Sequence, residues 1–458
     1  MRQYKKYERY KDTGVEWIGK IPEEWDLSKI KYIPKYEYKS FVDGDWIESP
    51  YITDEGIRLI QTGNIGIGSY KEQGYRYISE DTFKDLNCTE VYPNDVLICR
   101  LAGPVGRACL APSLTERMIT SVDVCILKPK DNIDRRYLVY ILSYDGYLQE
   151  ADFLARGGTR QRISRTQLGN INILLPPTDQ QKSIANFLDQ KTAEIDGLIA
   201  DKEKLIELLQ EKRQAIITET VTKGLNPNVK MKDSRIEWIG EIPEHWKIVK
   251  IKLLLKVKDG THDTPTFIDE GEGTVPLITS KNIVDGEIDF LNAKHISRED
   301  YTNINRRSNV EKNDIVMPMI GTIGNPVIVK TDKEFSIKNV ALFKTSHNEL
   351  LAKFIYYTLQ SDLINIQFDL LNRGGVQTFV SLDVLRNLLV IKMPSTELKE
   401  IVQYLENKTQ EIDSLISSIR VGINKLKEYR QSLISEAVTG KIDVREFQNK
   451  NEVIFRNE

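Results

Sequence analysis

Residues 153–168, FLARGGTRQRISRTQL, carry Arg156, Arg160, Arg162 and Arg165 with no acidic residue among them. Arginine neutralises phosphates and forks onto guanine, and Gly157-Gly158 lets backbone amides come close to a phosphate. The loop therefore reads as a nucleic-acid contact through Arg156, Gly158, Thr159, Arg160 and Arg162, with a solvated turn ahead of an apolar strand as the competing reading. A less charged loop, RGGVQT, repeats the glycines and adds Arg373, Gly375, Gln377 and Thr378. Two matched turns, Gln61-Thr62-Gly63-Asn64 and Thr279-Ser280-Lys281-Asn282, follow apolar strands. Their short amides and hydroxyls suit base edges and ordinary turns equally, which nominates Gln61, Asn64, Lys281 and Asn282. Lys258, Thr261 and His262 in KDGTH complete the set, with Arg100 at a strand end facing either a polyanion or a buried acid.

Enzymatic chemistry finds little footing. The four cysteines (88, 99, 109, 125) lie in the first half and the four histidines (245, 262, 295, 347) in the second, with no CxxC pair. A zinc site or a Cys/His dyad would need both halves, so buried thiols and surface histidines are expected. Gly14 to Ile21 has the spacing of a phosphate loop, but Ile21 stands where the magnesium hydroxyl belongs and the copy at Gly240-Glu241 lacks the lysine. The Pro176-Pro177 pair is a helix-start signal, not the base-holding motif of an adenine methyltransferase.

The elements that position these residues come in two copies. Residues 178–222 recur at 395–439 with 19 of 45 positions identical, including KT-x-EID-x-LI. Ile184, Leu188, Ile195, Leu198, Leu205, Leu209 and Ile216 recur at intervals of three and four, and Ile401, Leu405, Ile412, Leu415, Leu426 and Leu433 repeat the seam. That is a narrow stripe of the coiled-coil kind on a rod of roughly 65 Å, so each rod needs a partner, found economically in the other, antiparallel copy. Thr178 with Gln181 reads as a capping box and Gly224 as a terminator. Each copy opens with EWIG-x-IPE-x-W, at 16–25 and 237–246. Trp17, Trp25, Trp238 and Trp246 are expected to anchor globular segments on the rods rather than stack on bases. Between opening and rod, short β-branched strands, a helix (135 to about 153, and 351 to about 371), the Gly-Gly loop and a last strand succeed one another. The 18 residues from Lys441 look like a poorly ordered tail.

Composition is that of an ordinary globular chain: 40% apolar, 29% charged, net charge −3. No apolar run is long enough to span a membrane, the N-terminus is not a signal peptide, and a cytoplasmic location is expected.

The paired openings, the DGTH-x-TP stretch, the paired Gly-Gly loops and the two KT-x-EID-x-LI rods, in this order, resemble the specificity subunit of type I restriction–modification enzymes over about residues 12–442. The resemblance implies an α+β chain of two mixed α/β target recognition domains (1–176 and 225–393). Two long helices (177–224 and 394–441) separate them, pair as an antiparallel coiled coil and make the chain pseudo-twofold; 442–458 is a tail. Each domain would read half of a bipartite, asymmetric target in double-stranded DNA. The helices would set the gap and dock two modification subunits, with restriction subunits joining. S-adenosylmethionine would belong to the modification partner and ATP and Mg to the restriction partner, leaving this chain no cofactor and no catalysis. Lys191, Glu194 and Asp196, with their copies Lys408, Glu411 and Asp413, are the candidate partner contacts; pairing between the rods explains their retention nearly as well. A two-headed scaffold for proteins is the alternative function.

Overall fold

The computed structural model describes residues 4–155, 161–284, 286–321, 324–371 and 379–447. The chain divides into two compact units: Met1–Asp201 with Val421–Glu458, and Lys202–Arg420. The division falls within both long helices, Thr178–Lys223 and Ser395–Val438, so each unit owns a segment of each.

Unit 1 begins with the hairpin Tyr10–Asp12/Lys20–Pro22, then pairs Asp26–Lys29 antiparallel with Asn172–Leu175, the strand that leads into the first long helix. Its core sheet is antiparallel, in the order Phe41–Asp43, Val124–Leu127, Val96–Cys99, Ala108–Leu110. A second sheet places Ile57–Ile60 between Tyr77–Ile78 and the parallel strand Met118–Thr120. The central strands Ile57–Ile60, Val96–Cys99 and Val124–Leu127 are buried at all four positions, which is why the last two read as continuous apolar runs; the first carries the buried Arg58.

Unit 2 repeats the plan. Lys256–Asp259, Val340–Lys344, Ile315–Pro318 and Val327–Ile328 form its antiparallel sheet, and Val275–Ile278 lies between Lys294–Ile296 and the parallel Ser336–Ile337. It also has a short ladder of its own, Ile283–Val284/Glu287–Ile288.

Each closing helix expected from sequence is in fact two helices. Arg135–Ile141 stops before Asp145–Leu154, and Glu349–Gln360 before Asp362–Leu371. Serine supplies the break: Ser143 Oγ donates to the Val139 carbonyl, and Ser361, extended at φ −74° and ψ 158°, donates to that of Thr358.

Two of the four tryptophans in the paired openings, Trp25 and Trp246, fasten these units to the helix segments, whereas Trp17 stacks on Tyr144 at 6.0 Å. Trp25 is fully buried and its indole donates to Gln180 Oε1 near the start of the first long helix; its ring also meets Gly440 beyond the end of the second. In unit 2 the fully buried Trp246 donates to Glu397 near the start of the second helix and meets Gly224 after the end of the first. Within each unit the two segments therefore run antiparallel. Gly224 and Gly440 both end their helices in the left-handed region, at φ +79° and +69°. A Cβ on Gly440 would collide with Pro22 and press on Trp25.

The inward stripe keeps the expected Ile184, Leu188, Ile195, Ile401, Leu405, Ile412 and Leu433, and departs from the seam by one residue midway along the helices. Leu198, Leu205 and Leu415 are 51%, 44% and 48% exposed, whereas Ile199 and Ile416 are buried. The buried line on the second helix runs Leu405, Thr409, Ile412, Ile416, Ile419, Ile423, alternating steps of four and three. Leu415→Ala is expected to change stability by less than about 0.5 kcal/mol, and Ile416→Ala to cost about 2–4 kcal/mol. Urea titration followed by circular dichroism separates the two; equal losses would contradict this phase.

The tail expectation is also corrected in part. Ile442 and Val444 are buried, Asp443 N–H donates to the Lys5 carbonyl, and Phe447 lies edge-on to Phe187 at 5.0 Å. Residues 441–447 thus belong to unit 1. No helix among the described residues is long and apolar enough to cross a membrane.

Candidate nucleic-acid interface

The matched turns are one device used twice. Thr62–Asn64 and Ser280–Asn282 are single 3-10 turns, each closed by a capping box from the preceding residue. Asn64 Oδ1 accepts from Gln61 N–H at 2.8 Å, and its amide donates to the Lys71 and Gln73 carbonyls. Asn282 does the same with Thr279 and Asp289. Both asparagines are buried, so their amides hold the turn shut and are not offered to base edges. Gln61 accepts from Asn64 N–H in the same box. Lys281, by contrast, is exposed and makes no ion pair among the described residues.

The arginines of unit 1 meet acids contributed by distant strands. Arg100 is 5% exposed, pairs with Asp43 at 3.3 Å and donates to the Val122 carbonyl; it faces an acid, itself partly exposed, and not solvent. Arg162, half-exposed, pairs with Asp123 at 2.7 Å, and Arg165 donates to the Phe41 carbonyl beside Asp43. Arg162 and Arg165 thus meet acids that their own stretch of sequence lacks. Arg156, Gly158, Thr159 and Arg160, and in unit 2 Arg373, Gly375, Gln377 and Thr378, lie outside the described residues.

In unit 2, Asp259 takes the strand-end place that Asp43 has in unit 1, since Asp259 pairs with Ala341 as Asp43 pairs with Cys125. Its buried carboxylate accepts from Arg307 at 2.6 Å and contacts His262 Nε2 at 2.9 Å, while His262 Nδ1 lies 3.0 Å from Asn339 Oδ1. His262 keeps 53% of its side chain exposed. Thr261 is a sheet-edge residue, bridged to Lys338, and its hydroxyl accepts from Asp263 N–H. Lys258 is half-buried on the same strand.

One residue that sequence reading did not single out organises the unit 1 surface. Arg107, 7% exposed, donates to the carbonyls of Ile65, Thr62, Leu101, Pro104 and Ala102, tying the capped turn to the hairpin loop. An arginine flanked by glycine and apolar residues was the available signal.

The retained residues of the long helices have distinct tasks. Lys191 pairs with Glu194 and Lys408 with Glu411, each within its own helix. Thr192 and Thr409 are buried, each facing a tyrosine of its own unit, Tyr140 and Tyr357. Asp196 takes Arg430 in unit 1 and Asp413 takes Arg213 in unit 2, at 2.9 and 3.1 Å. Neighbouring Gln431 donates to Ser143 O and Asp145, and Gln214 to Gln360 O and Asp362. The repeated Asp, Arg and Gln therefore bind this chain itself, the reading in which the two helices explain their own retained residues. Because Asp196 and Arg430 are partly exposed, reversing Arg430 to Asp is expected to cost no more than about 1 kcal/mol. The reciprocal double swap recovers about 0.5 kcal/mol of it, read by a double-mutant cycle on urea unfolding; absence of coupling would contradict the pairing.

The cysteines are all free and buried, and burial pushes the Cys88 thiol up to about 11 and that of Cys109 up to about 12. A thiolate nucleophile is disfavoured at both. Among the described residues no three His, Cys, Asp or Glu converge as a metal site.

Two copies of a sheet unit, each presenting a capped turn beside a hairpin loop and each fastened to antiparallel helix segments, define a duplicated recognition module. The chain belongs to the family of the type I restriction modification DNA specificity domain, whose model matches twice, at residues 23–208 and 243–424. It is 27% identical to the type I restriction enzyme MjaVIII specificity subunit of Methanocaldococcus jannaschii, across 97% of this chain and 98% of that one. It is 26% identical to the Escherichia coli EcoBI specificity subunit, across 77% and 74%. A chain from a structure on complex assembly and conformational transition of the type I R-M system shares the fold at a TM-score of 0.65. Its identity is 13%, over 91% of this chain and 98% of that one.

Proposed function

We propose that this chain is the DNA sequence-specificity subunit of a type I restriction–modification complex. Each unit reads one half of a bipartite, asymmetric target in double-stranded DNA. The long helices hold the halves at a fixed gap and dock two modification subunits, which methylate adenine; restriction subunits join the same assembly. The chain itself binds no cofactor and catalyses nothing: S-adenosylmethionine is the modification partner's, ATP and Mg the restriction partner's. It works in the cytoplasm, with no membrane partner.

The observation that carries this reading is a duplicated frame with diverged heads. Asp196–Arg430 and Asp413–Arg213 are the same contact made twice, 217 residues apart, as are Gln431–Asp145 and Gln214–Asp362. The frame is thus kept while the surfaces it carries differ, as two unlike half-sites require. Non-specific affinity for DNA comes from displaced counterions, so the logarithm of the binding constant falls linearly with the logarithm of salt. Titrating duplex DNA against the full-length chain assembled with its modification subunits, from about 50 to 200 mM salt, tests this. A steep fall supports recognition. Salt-independent binding, or none, supports a protein scaffold instead.

A further inference from the structure

In unit 2 a cleft of about 880 Å³ opens between the capped turn at 279–284, the strand Lys294–Ile296 and the hairpin loop after Ile315–Pro318. Lys281, Lys294 and Lys338 reach it, and none of the described residues lining it is acidic. Its apolar floor is wet: Phe267, Val284 and Ile320 are 39%, 49% and 43% exposed. Lys294 rests over the Phe267 ring at 4.4 Å and Lys338 donates to the Thr264 hydroxyl, which holds both side chains at the rim.

Strand register explains why the space is open. Leu97 pairs with Cys109 in unit 1 and Val316 with Val327 in unit 2, which sets Asn325 in the place of Arg107. In unit 1 the Arg107 guanidinium spans from the hairpin loop to the Thr62 and Ile65 carbonyls. Asn325 is too short for that bridge, and it lines the cleft with its side chain exposed.

Three cations with no carboxylate among the described lining residues call for a polyanion. An exposed apolar floor beside an unused amide calls for a planar, partly apolar ligand edge. The major groove of duplex DNA offers both: phosphates at its rim for lysines, adenine N6/N7 for an Asn amide, and the thymine methyl for an apolar wall. We infer that this cleft is the reading surface of the second recognition domain, with Lys281, Lys294 and Lys338 on phosphates and Asn325 a specificity-determining residue that selects an A·T pair. The inference rests on the proposed function and adds the residues and the base pair.

The test expresses the full-length chain with its modification subunits in cells free of other adenine methylation and sequences the methylated genome. Three variants are compared with the wild type. Asn325→Ala is expected to relax one A·T position in one half of the motif by about 10- to 100-fold and leave the other half intact. Asn325→Arg, which supplies the plug of unit 1, is expected to abolish methylation of the wild-type motif. Lys281→Ala with Lys294→Ala is expected to leave the motif unchanged and to reduce the salt slope of the purified complex by about two. All three side chains altered are exposed, so folding is not at stake. A wild-type motif and salt slope that survive all three variants overturn the inference. A wild-type chain that directs no bipartite methylation overturns the function beneath it.

Discussion

Replacing Trp246 by alanine is expected to destabilise unit 2 by about 3–5 kcal/mol, among the largest effects available to one substitution in this chain. The indole is fully buried within a core that also holds Ile217 and Val221 from one long helix and Ile401 and Leu405 from the other. Truncation opens a cavity where three elements meet and leaves Glu397 without its indole donor. Circular dichroism during urea unfolding is the readout. Trp246→Phe, which keeps most of the volume and loses the donor, should recover more than half of the loss. A loss below about 1 kcal/mol for the alanine variant would mean that the helix segments hold unit 2 without the tryptophan.

Arg107→Met is expected to cost unit 1 about 3–5 kcal/mol, because a buried cation with five carbonyl acceptors is replaced by a side chain with no donor. The orphaned carbonyls belong to the capped turn and to the hairpin loop, so the local effect is on the surface that faces DNA in the proposed function. The expected result is a lower unfolding midpoint together with loss of one half of the methylated motif. Loss of stability with the motif intact would place Arg107 in the scaffold alone. No change in either would contradict the clamp.

These two residues mark what the sequence made legible and what it did not. The tryptophans were readable because they recur in the same phrase, IPE-x-W, ahead of each repeat. The repeat also located both long helices, their starts after proline and their glycine ends. The phase of the inward stripe was not readable midway along the helices, since Leu198-Ile199 and Leu415-Ile416 offer two adjacent apolar residues. A period of three and four cannot choose between them; the contacts of Thr192 with Tyr140 and Thr409 with Tyr357 do. Nor could local charge identify the role of the arginines. Arg100, Arg162 and Arg165 meet Asp43 and Asp123, which strand order brings from elsewhere in unit 1. Asn64 and Asn282 look like readers by type, yet burial commits their amides to the turn. Asn325 carries no motif at all: only the ladder register aligns it with Arg107 and exposes the difference between the units.

The measurement closest to the central claim compares adenine methylation across the genome of the source cell with and without this gene. The account predicts loss of one bipartite motif, a few bases on each side of a fixed gap, with other methylation untouched. Methylation that is unchanged while the neighbouring methyltransferase is expressed would contradict it, and would move the two-headed protein scaffold ahead.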